Sequence, residues 1–297
     1  MALLVRLQYF KLRLKKLAMD IGSIEETMLI FGGPYSNLQA TLAMKRTAEH
    51  LKIKPQNIVC TGDLVAYCGE PESTVGLIRE WGIHVVMGNC EESLSSDAED
   101  CGCGFEEGTV CSILSRSWYD FAKKTLSVDN KKWMRALPRA IKFKSSGLSF
   151  RCVHGSASHI NQFIFASTDA QIKAEQLALT NTDVMIGGHC GLPFGHKIDC
   201  KAWLNAGVIG MPANEGLASV WYMLLKPSLS GVEASWHRLE YDFAAAQTIM
   251  HRERLNDHYS RALTSGLWPS LDILPEQERI LTGQKINIAP LKINQTH

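Results

Sequence analysis

Four times along this chain a short apolar, β-rich run stops at a glycine and presents a polar side chain beside it, and no other feature constrains the fold as much. Ile58-Val59-Cys60 leads into Thr61-Gly62-Asp63, and His84-Val85-Val86-Met87 into Gly88-Asn89. Phe150-Arg151-Cys152-Val153 leads into His154-Gly155, and Val184-Met185-Ile186 into Gly187-Gly188-His189. Runs of this kind read as buried strands, and ligands of open α/β sheets collect beyond the carboxyl ends of such strands. Glycine lets the backbone turn there and approach a ligand closely. Each member alone is an ordinary turn residue or structural histidine; four in succession read as one metal cage of Asp63, Asn89, His154 and His189.

The order and spacing of these motifs resemble the calcineurin-like metallophosphoesterases, in particular their small bacterial phosphodiesterase branch. Members carry a strand ending in Asp-x-His, then Gly-Asp, Gly-Asn-(His/Cys)-(Asp/Glu), His-Gly and Gly-His-x-His. This chain has Gly62-Asp63, Gly88-Asn89-Cys90-Glu91, His154-Gly155 and Gly188-His189, and its Asn205-Ala206-Gly207 is similar to the Asn-Pro-Gly that follows the last motif. The likeness spans about 28 to 239. It implies an α/β fold, a two-sheet β-sandwich flanked by helices (αββα). It also implies hydrolysis of a phosphomonoester or phosphodiester through a metal-bound water, with Asp63, Asn89, His154 and His189 holding the second of two metals. Cys90 stands where many members have a His that assists the leaving group.

The chain departs from the family at the first metal. After the strand Met28–Phe31, Gly33 and Tyr35 stand where the family has Asp and His, and Gly191 replaces the second His of the last motif. Tyr35, Cys190, Cys101 and Cys103 are the candidates for rebuilding that site. Manganese, iron, zinc or nickel, one or two per chain, each suits such mixed donors. A single cation still lowers the pKa of a bound water, but it clamps a phosphate less firmly than a pair. His159 is a candidate replacement for the general acid, with His196 a further one, because imidazole titrates near neutrality. Asn37 and Asn205 are expected to contact the substrate. Two other classes stay open: a non-hydrolytic metal-binding member of the fold with a regulatory or sensor role, and a thiolate-metal or redox protein using Cys90, Cys101, Cys103 and Cys190. The spacing Cys101-x-Cys103 followed by Cys111 matches no well-spaced zinc framework.

The 297 residues are 45% hydrophobic, ample for one large α/β domain with appendages. A net charge of +1 argues against a surface built to grip nucleic acid or a membrane, leaving a small phosphorylated substrate as the expected partner. Nine cysteines without a secretory leader suggest reduced thiols and a cytoplasmic location, and no apolar run approaches a membrane span. The expected division is an N-terminal extension over 1–27, the metallophosphoesterase-like domain over 28–240, and a helical C-terminal extension over 241–297. Within the domain, 93–138 is expected to form a Cys/Gly loop and helices, which the resemblance implies are a variable insertion that shapes substrate entry. In the N-terminal extension Leu7 to Lys16 is basic and amphipathic, and translation is expected to begin at Met19. The C-terminal extension is expected to pack on the domain or on a second subunit of a homo-oligomer.

Local signals place the elements. Asn37 caps a helix running to about Lys52, and Glu72 to Trp81 forms another closed by Gly82, which with the intervening strands predicts a mainly parallel first sheet. A hairpin is expected over 140–150, turning near Gly147, and a helix over 169–180. Lys201–Leu204, Ser219–Leu225 and Ser235–Leu239 are assigned to the second sheet. One helix is expected from Phe243 to about Leu263, with the last dozen residues loosely ordered.

Overall fold

The computed structural model describes residues 18–295, so the basic stretch Leu7 to Lys16 lies outside the described residues. The first half of the chain alternates strand and helix. It runs β1 (Ala18–Ser23), β2 (Met28–Phe31), α1 (Leu38–His50), β3 (Ile58–Cys60), α2 (Pro71–Trp81) and β4 (His84–Val85), then α3 (Asn89–Ser96), α4 (Val110–Thr125) and α5 (Val128–Arg135). The second half begins with the hairpin β5 (Ala140–Ser145) and β6 (Leu148–Val153), followed by α6 (Ala170–Thr180), β7 (Val184–Gly187), β8 (Pro193–Ile198) and β9 (Lys201–Ala206). It ends with β10 (Val220–Ser228), β11 (Gly231–Leu239), α7 (Phe243–Arg252), α8 (Asp257–Ser265), α9 (Glu276–Arg279) and β12 (Leu291–Asn294).

Two six-stranded sheets result, in the orders β12-β11-β10-β2-β3-β4 and β1-β5-β6-β7-β9-β8. Successive side chains of a strand point to opposite faces, so each sheet feeds two cores. Met28, Ile30 and Val59 of the first sheet meet Ile141, Phe150, Ile186 and Leu204 of the second. Leu29, Phe31 and Ile58 face the other way, onto Met44 of α1 and Val75 and Ile78 of α2. Val153, Met185 and Trp203 turn outward onto Leu177 of α6. The layers are therefore helix, sheet, sheet, helix, each fully buried aliphatic side chain contributing about 1.5–3 kcal/mol.

The helix signals act as the sequence predicts. Asn37 Oδ1 accepts the Ala40 N–H at 3.1 Å and caps α1, while Gly82 ends α2 at φ 73°. Three expectations are corrected. The first sheet is parallel only through β2, β3 and β4, because β10 pairs antiparallel to β2 with Met223 opposite Ile30. Of the three C-terminal strands assigned to the second sheet only β9 lies there; β10 and β11 join the first, where Trp221, Met223 and Leu225 supply the inter-sheet core. The helix expected from Phe243 to about Leu263 is two, broken at Arg254 (φ 56°) and restarted by Asn256, whose side chain accepts the His258 N–H at 2.9 Å.

The last dozen residues are not loose throughout, since β12 pairs with β11 and buries Ile293. β1 likewise joins the second sheet, beside β5. Ala246, Met250, Tyr259 and Leu263 of α7 and α8 pack into the core beneath α1, so this segment covers its own chain. Among the described residues no helix is long and apolar enough to cross a membrane.

Candidate metal centre

Strands β3 and β4 of one sheet and β6 and β7 of the other all deliver their carboxyl ends to one edge of the sandwich, which brings four separated side chains together. Gly62 (φ 97°) makes the first approach: a Cβ there would lie 2.8 Å from Gly88 N and 2.9 Å from His154 Nδ1. Asp63 and His189 themselves sit in left-handed conformations, φ 56° and 61°, which turn their side chains inward. Asn89 opens helix α3.

The geometry centres on His154 Nε2. Asn89 Oδ1 lies 3.0 Å from it, His189 Nδ1 3.1 Å and Asp63 Oδ2 3.2 Å. On the far side of the ring, Nδ1 is 2.7 Å from the Thr61 carbonyl, which assigns the hydrogen of the neutral imidazole to Nδ1. Nε2 then offers a lone pair to three other lone pairs. A single proton satisfies one of these contacts; a cation at their centre satisfies all four atoms. The donor set, two imidazoles, one amide and one carboxylate, suits a first-row divalent ion. The ligating atoms of Asp63, His154 and His189 fall within 4.8 Å of one another, and among the described residues no other three His, Cys, Asp or Glu side chains converge in this way.

The electrostatics agree. Burial opposes ionisation of Asp63, but the His154 and His189 rings and the Cys90 N–H hold its carboxyl below the usual range. Burial also opposes a charged His154, yet Asp63 and the Thr61 carbonyl raise its pKa, so protons compete with a cation for this ring. Burial and the neighbouring His154 push His189 down to about 3, keeping it a neutral lone-pair donor. Its other ring nitrogen is buried on the side of the Cys103 and Asn161 backbone.

A cavity opens off Asp63 and His189, and Tyr35, Cys103 and Cys190 line it. Tyr35 is a buried phenol packed edge-on against Tyr67, its centroid 4.8 Å away; burial and then the Asp63 charge raise its pKa and keep it neutral. Burial pushes the Cys190 thiol up to about 12, and Asn205 Nδ2 donates to its sulfur at 3.2 Å. The Cys101 and Cys103 sulfurs are paired with each other, while the other seven cysteines are free. The pair serves the cluster indirectly. Asn89 Nδ2 donates to the Cys101 carbonyl at 2.9 Å and faces Cys103 Sγ at 3.3 Å, which aims Oδ1 at His154.

Five other candidates lie elsewhere. Cys90 packs in the core with its thiol pKa raised by burial, by the Asp63 charge and by a hydrogen bond to that carboxylate, and its backbone N–H also reaches Asp63, at 3.2 Å. His159 is exposed on a turn closed by Ser156, and neither it nor Cys90 lines the cavity. Asn37 is spent on its helix cap and on a 3.1 Å bond from Nδ2 to the Gly210 carbonyl. Asn205 is buried and braces the His189 loop, Nδ2 donating to the Gly188 carbonyl at 3.0 Å and Oδ1 accepting the Gly207 N–H at 2.9 Å. His196 faces Lys173 Nζ at 2.9 Å, on β8.

One residue stood in a quoted motif but received no role from sequence reasoning. Glu91 is fully buried and accepts three backbone N–H groups, from Asp63 at 2.7 Å, Leu64 at 2.8 Å and Gly88 at 2.9 Å. It fixes the Asp63 loop to the start of α3, although burial and the nearby Asp63 charge push its pKa up to about 7. Its signal was a carboxylate three residues after Gly88, the capping-box spacing.

The geometry can be set beside known proteins. A family model described as the calcineurin-like phosphoesterase superfamily domain matches residues 39–226. The chain is 24% identical over 261 residues to the uncharacterized protein MJ0912 of Methanocaldococcus jannaschii, an alignment covering 82% of this chain and 99% of that one. Among solved structures, a metallophosphoesterase from Sphaerobacter thermophilus superposes with a TM-score of 0.64 at 21% identity, covering 82% of this chain and 100% of the other. The hypothetical protein PH1004 from Pyrococcus horikoshii OT3 gives 0.69 at 15% identity, covering 82% and 99%. These superpositions carry the fold. With motif order, sandwich and ligand cluster all in agreement with the match over 39–226, the chain belongs to the calcineurin-like phosphoesterase superfamily.

Proposed function

We propose that this protein is a metal-dependent phosphoesterase acting on a phosphomonoester or phosphodiester, with Asp63, Asn89, His154 and His189 as the metal ligands. The observation that carries the reading is the meeting of three lone-pair atoms at 3.0–3.2 Å from His154 Nε2, with the ring hydrogen committed to Thr61 on the other side. A divalent cation there would supply Lewis acidity toward a phosphoryl oxygen and acidify a water. The chain's own residues do the rest. Thr61 sets the His154 tautomer, Glu91 fixes the Asp63 loop, and the Cys101 carbonyl aims Asn89. Phe163, stacked on His189 at 4.2 Å between centroids, shields that ring from water.

A second reading, cation binding without hydrolysis, is favoured by what occupies the other half of the site. The Tyr35 ring lies so close to Gly33 that a Cβ there would approach it to 2.6 Å, and a Cβ on Gly191 would lie 3.1 Å from the Trp268 ring. The positions that the family resemblance assigns to a first metal thus carry rings in place of donors. Elemental analysis joined to kinetics separates the readings. The hydrolytic one expects about one metal per chain, lost in both Asp63→Ala and His189→Ala, and turnover of an aryl phosphodiester that disappears in Asp63→Asn. Metal retained with no turnover of any phosphate ester supports the second reading, and unchanged turnover in Asp63→Asn sinks the first.

A further inference from the structure

The cavity beside the cluster has an unusual wall. Beyond Asp63 and His189 its surface carries six aromatic rings among cysteines and small or aliphatic residues, and among the described residues no lysine or arginine lines it. Phe163 continues the wall from His189, to which it is stacked at 28°. Tyr35 meets Tyr67 edge-on, and Tyr67 lies 4.5 Å from Tyr259 between centroids. Trp268 is fixed opposite, Nε1 donating to the Pro212 carbonyl at 2.6 Å and the backbone N–H to Asn214 Oδ1 at 2.9 Å. Tyr259 and Trp268 both lie beyond residues 39–226, so this part of the wall comes from outside the matched family domain.

Such a lining selects by chemistry. A second phosphate or a carboxylate entering it would meet no cationic side chain and would approach the Asp63 carboxylate. A flat uncharged ring would gain stacking and edge contacts on pre-positioned neighbours and lose only loosely held water. We propose that this cavity is a subsite for a planar aromatic group joined to the phosphate that reaches the Asp63, His154 and His189 cluster, with Phe163, Tyr259 and Trp268 as its walls. The proposal rests on the phosphoester reading and narrows it to esters of aromatic alcohols or of nucleosides.

Calorimetric titration of the full-length, manganese-loaded protein with non-hydrolysable phosphonates tests it. Phenylphosphonate is expected to bind about tenfold more tightly than methylphosphonate, and this ratio should fall severalfold in Trp268→Leu and in Tyr259→Leu. A purine nucleoside phosphonate run alongside identifies which aromatic group gains more. Equal affinity of phenyl- and methylphosphonate for the wild-type protein overturns the subsite while leaving the phosphoester reading intact, as does a ratio unchanged in both folded variants. Phenol, carrying no phosphorus, separates the remaining case: if it binds the wild-type protein, and more weakly in Trp268→Leu, while neither phosphonate binds, the ring subsite stands and the phosphoester reading fails.

Discussion

At the scale of single residues the site depends on where hydrogens are, and Glu91 is the residue that decides how well Asp63 is held. It satisfies three backbone N–H groups from two loops, and among the described residues no other carboxylate serves them. Glu91→Gln keeps the shape but turns an amide N–H₂ toward donors. The expected result is a loss of about 1–3 kcal/mol of stability and a 10–100-fold weaker metal affinity, measured by chemical denaturation and by metal titration. Unchanged metal affinity would show that the Asp63 loop is held by other means. The four cluster residues were legible in the sequence because each follows an apolar run and adjoins a glycine. Glu91 and the Thr61 carbonyl were not, because their work is done on or by the backbone and leaves little trace in side-chain patterning. Tyr35 reads from the sequence as a candidate ligand, while Phe163, Tyr259 and Trp268 belong to no motif, and only the fold brings the four to one cavity.

At the scale of elements, helix α6 carries a cost that pH can reveal. Lys173 is buried in it, Nζ donating to the Ala166 and Thr168 carbonyls at 2.9 Å each and lying 5.3 Å from the centroid of Phe194. Burial pushes its pKa down to about 8, from 10.5 in the free side chain. The folded chain therefore releases this proton first as pH rises. Between about 8 and 10.5 the unfolded state binds more protons, so stability should increase with pH across that window, and the full cost remains below it. Denaturant unfolding from pH 7.5 to 10 should detect the rise, and Lys173→Met should remove the lysine's share; an identical slope in the variant would refute the assignment. The sequence located α1, α2, α6 and the hairpin from caps and turn residues, all local signals. It misassigned β10 and β11 because nothing in a strand's own residues names the strand it will pair with, and here β2 lies almost two hundred residues earlier. The break between α7 and α8 was hidden for a related reason: Arg254 adopts a left-handed conformation with no glycine or proline to mark it.

At the scale of the molecule, the cluster joins the two sheets. Asp63 and Asn89 follow strands of the first, and His154 and His189 follow strands of the second. A cation bound there ties loops far apart in the chain, and removing it should destabilise the whole protein. With free metal a hundredfold above its dissociation constant, chelation should cost about 2.7 kcal/mol, visible as a lower calorimetric midpoint. Coincident midpoints with and without chelator would exclude metal binding to the native state. The same placement bears on how the protein is made. While the chain is being synthesised, Asp63 and Asn89 emerge well before His154 and His189, and neither pair alone offers more than two donors. A metal can be captured firmly only after β7 has emerged and the second sheet has docked on the first. If the four residues hold a cation, loading would follow closure of the sandwich, and a nascent or truncated chain that has not closed it would bring at most two of the four donors together.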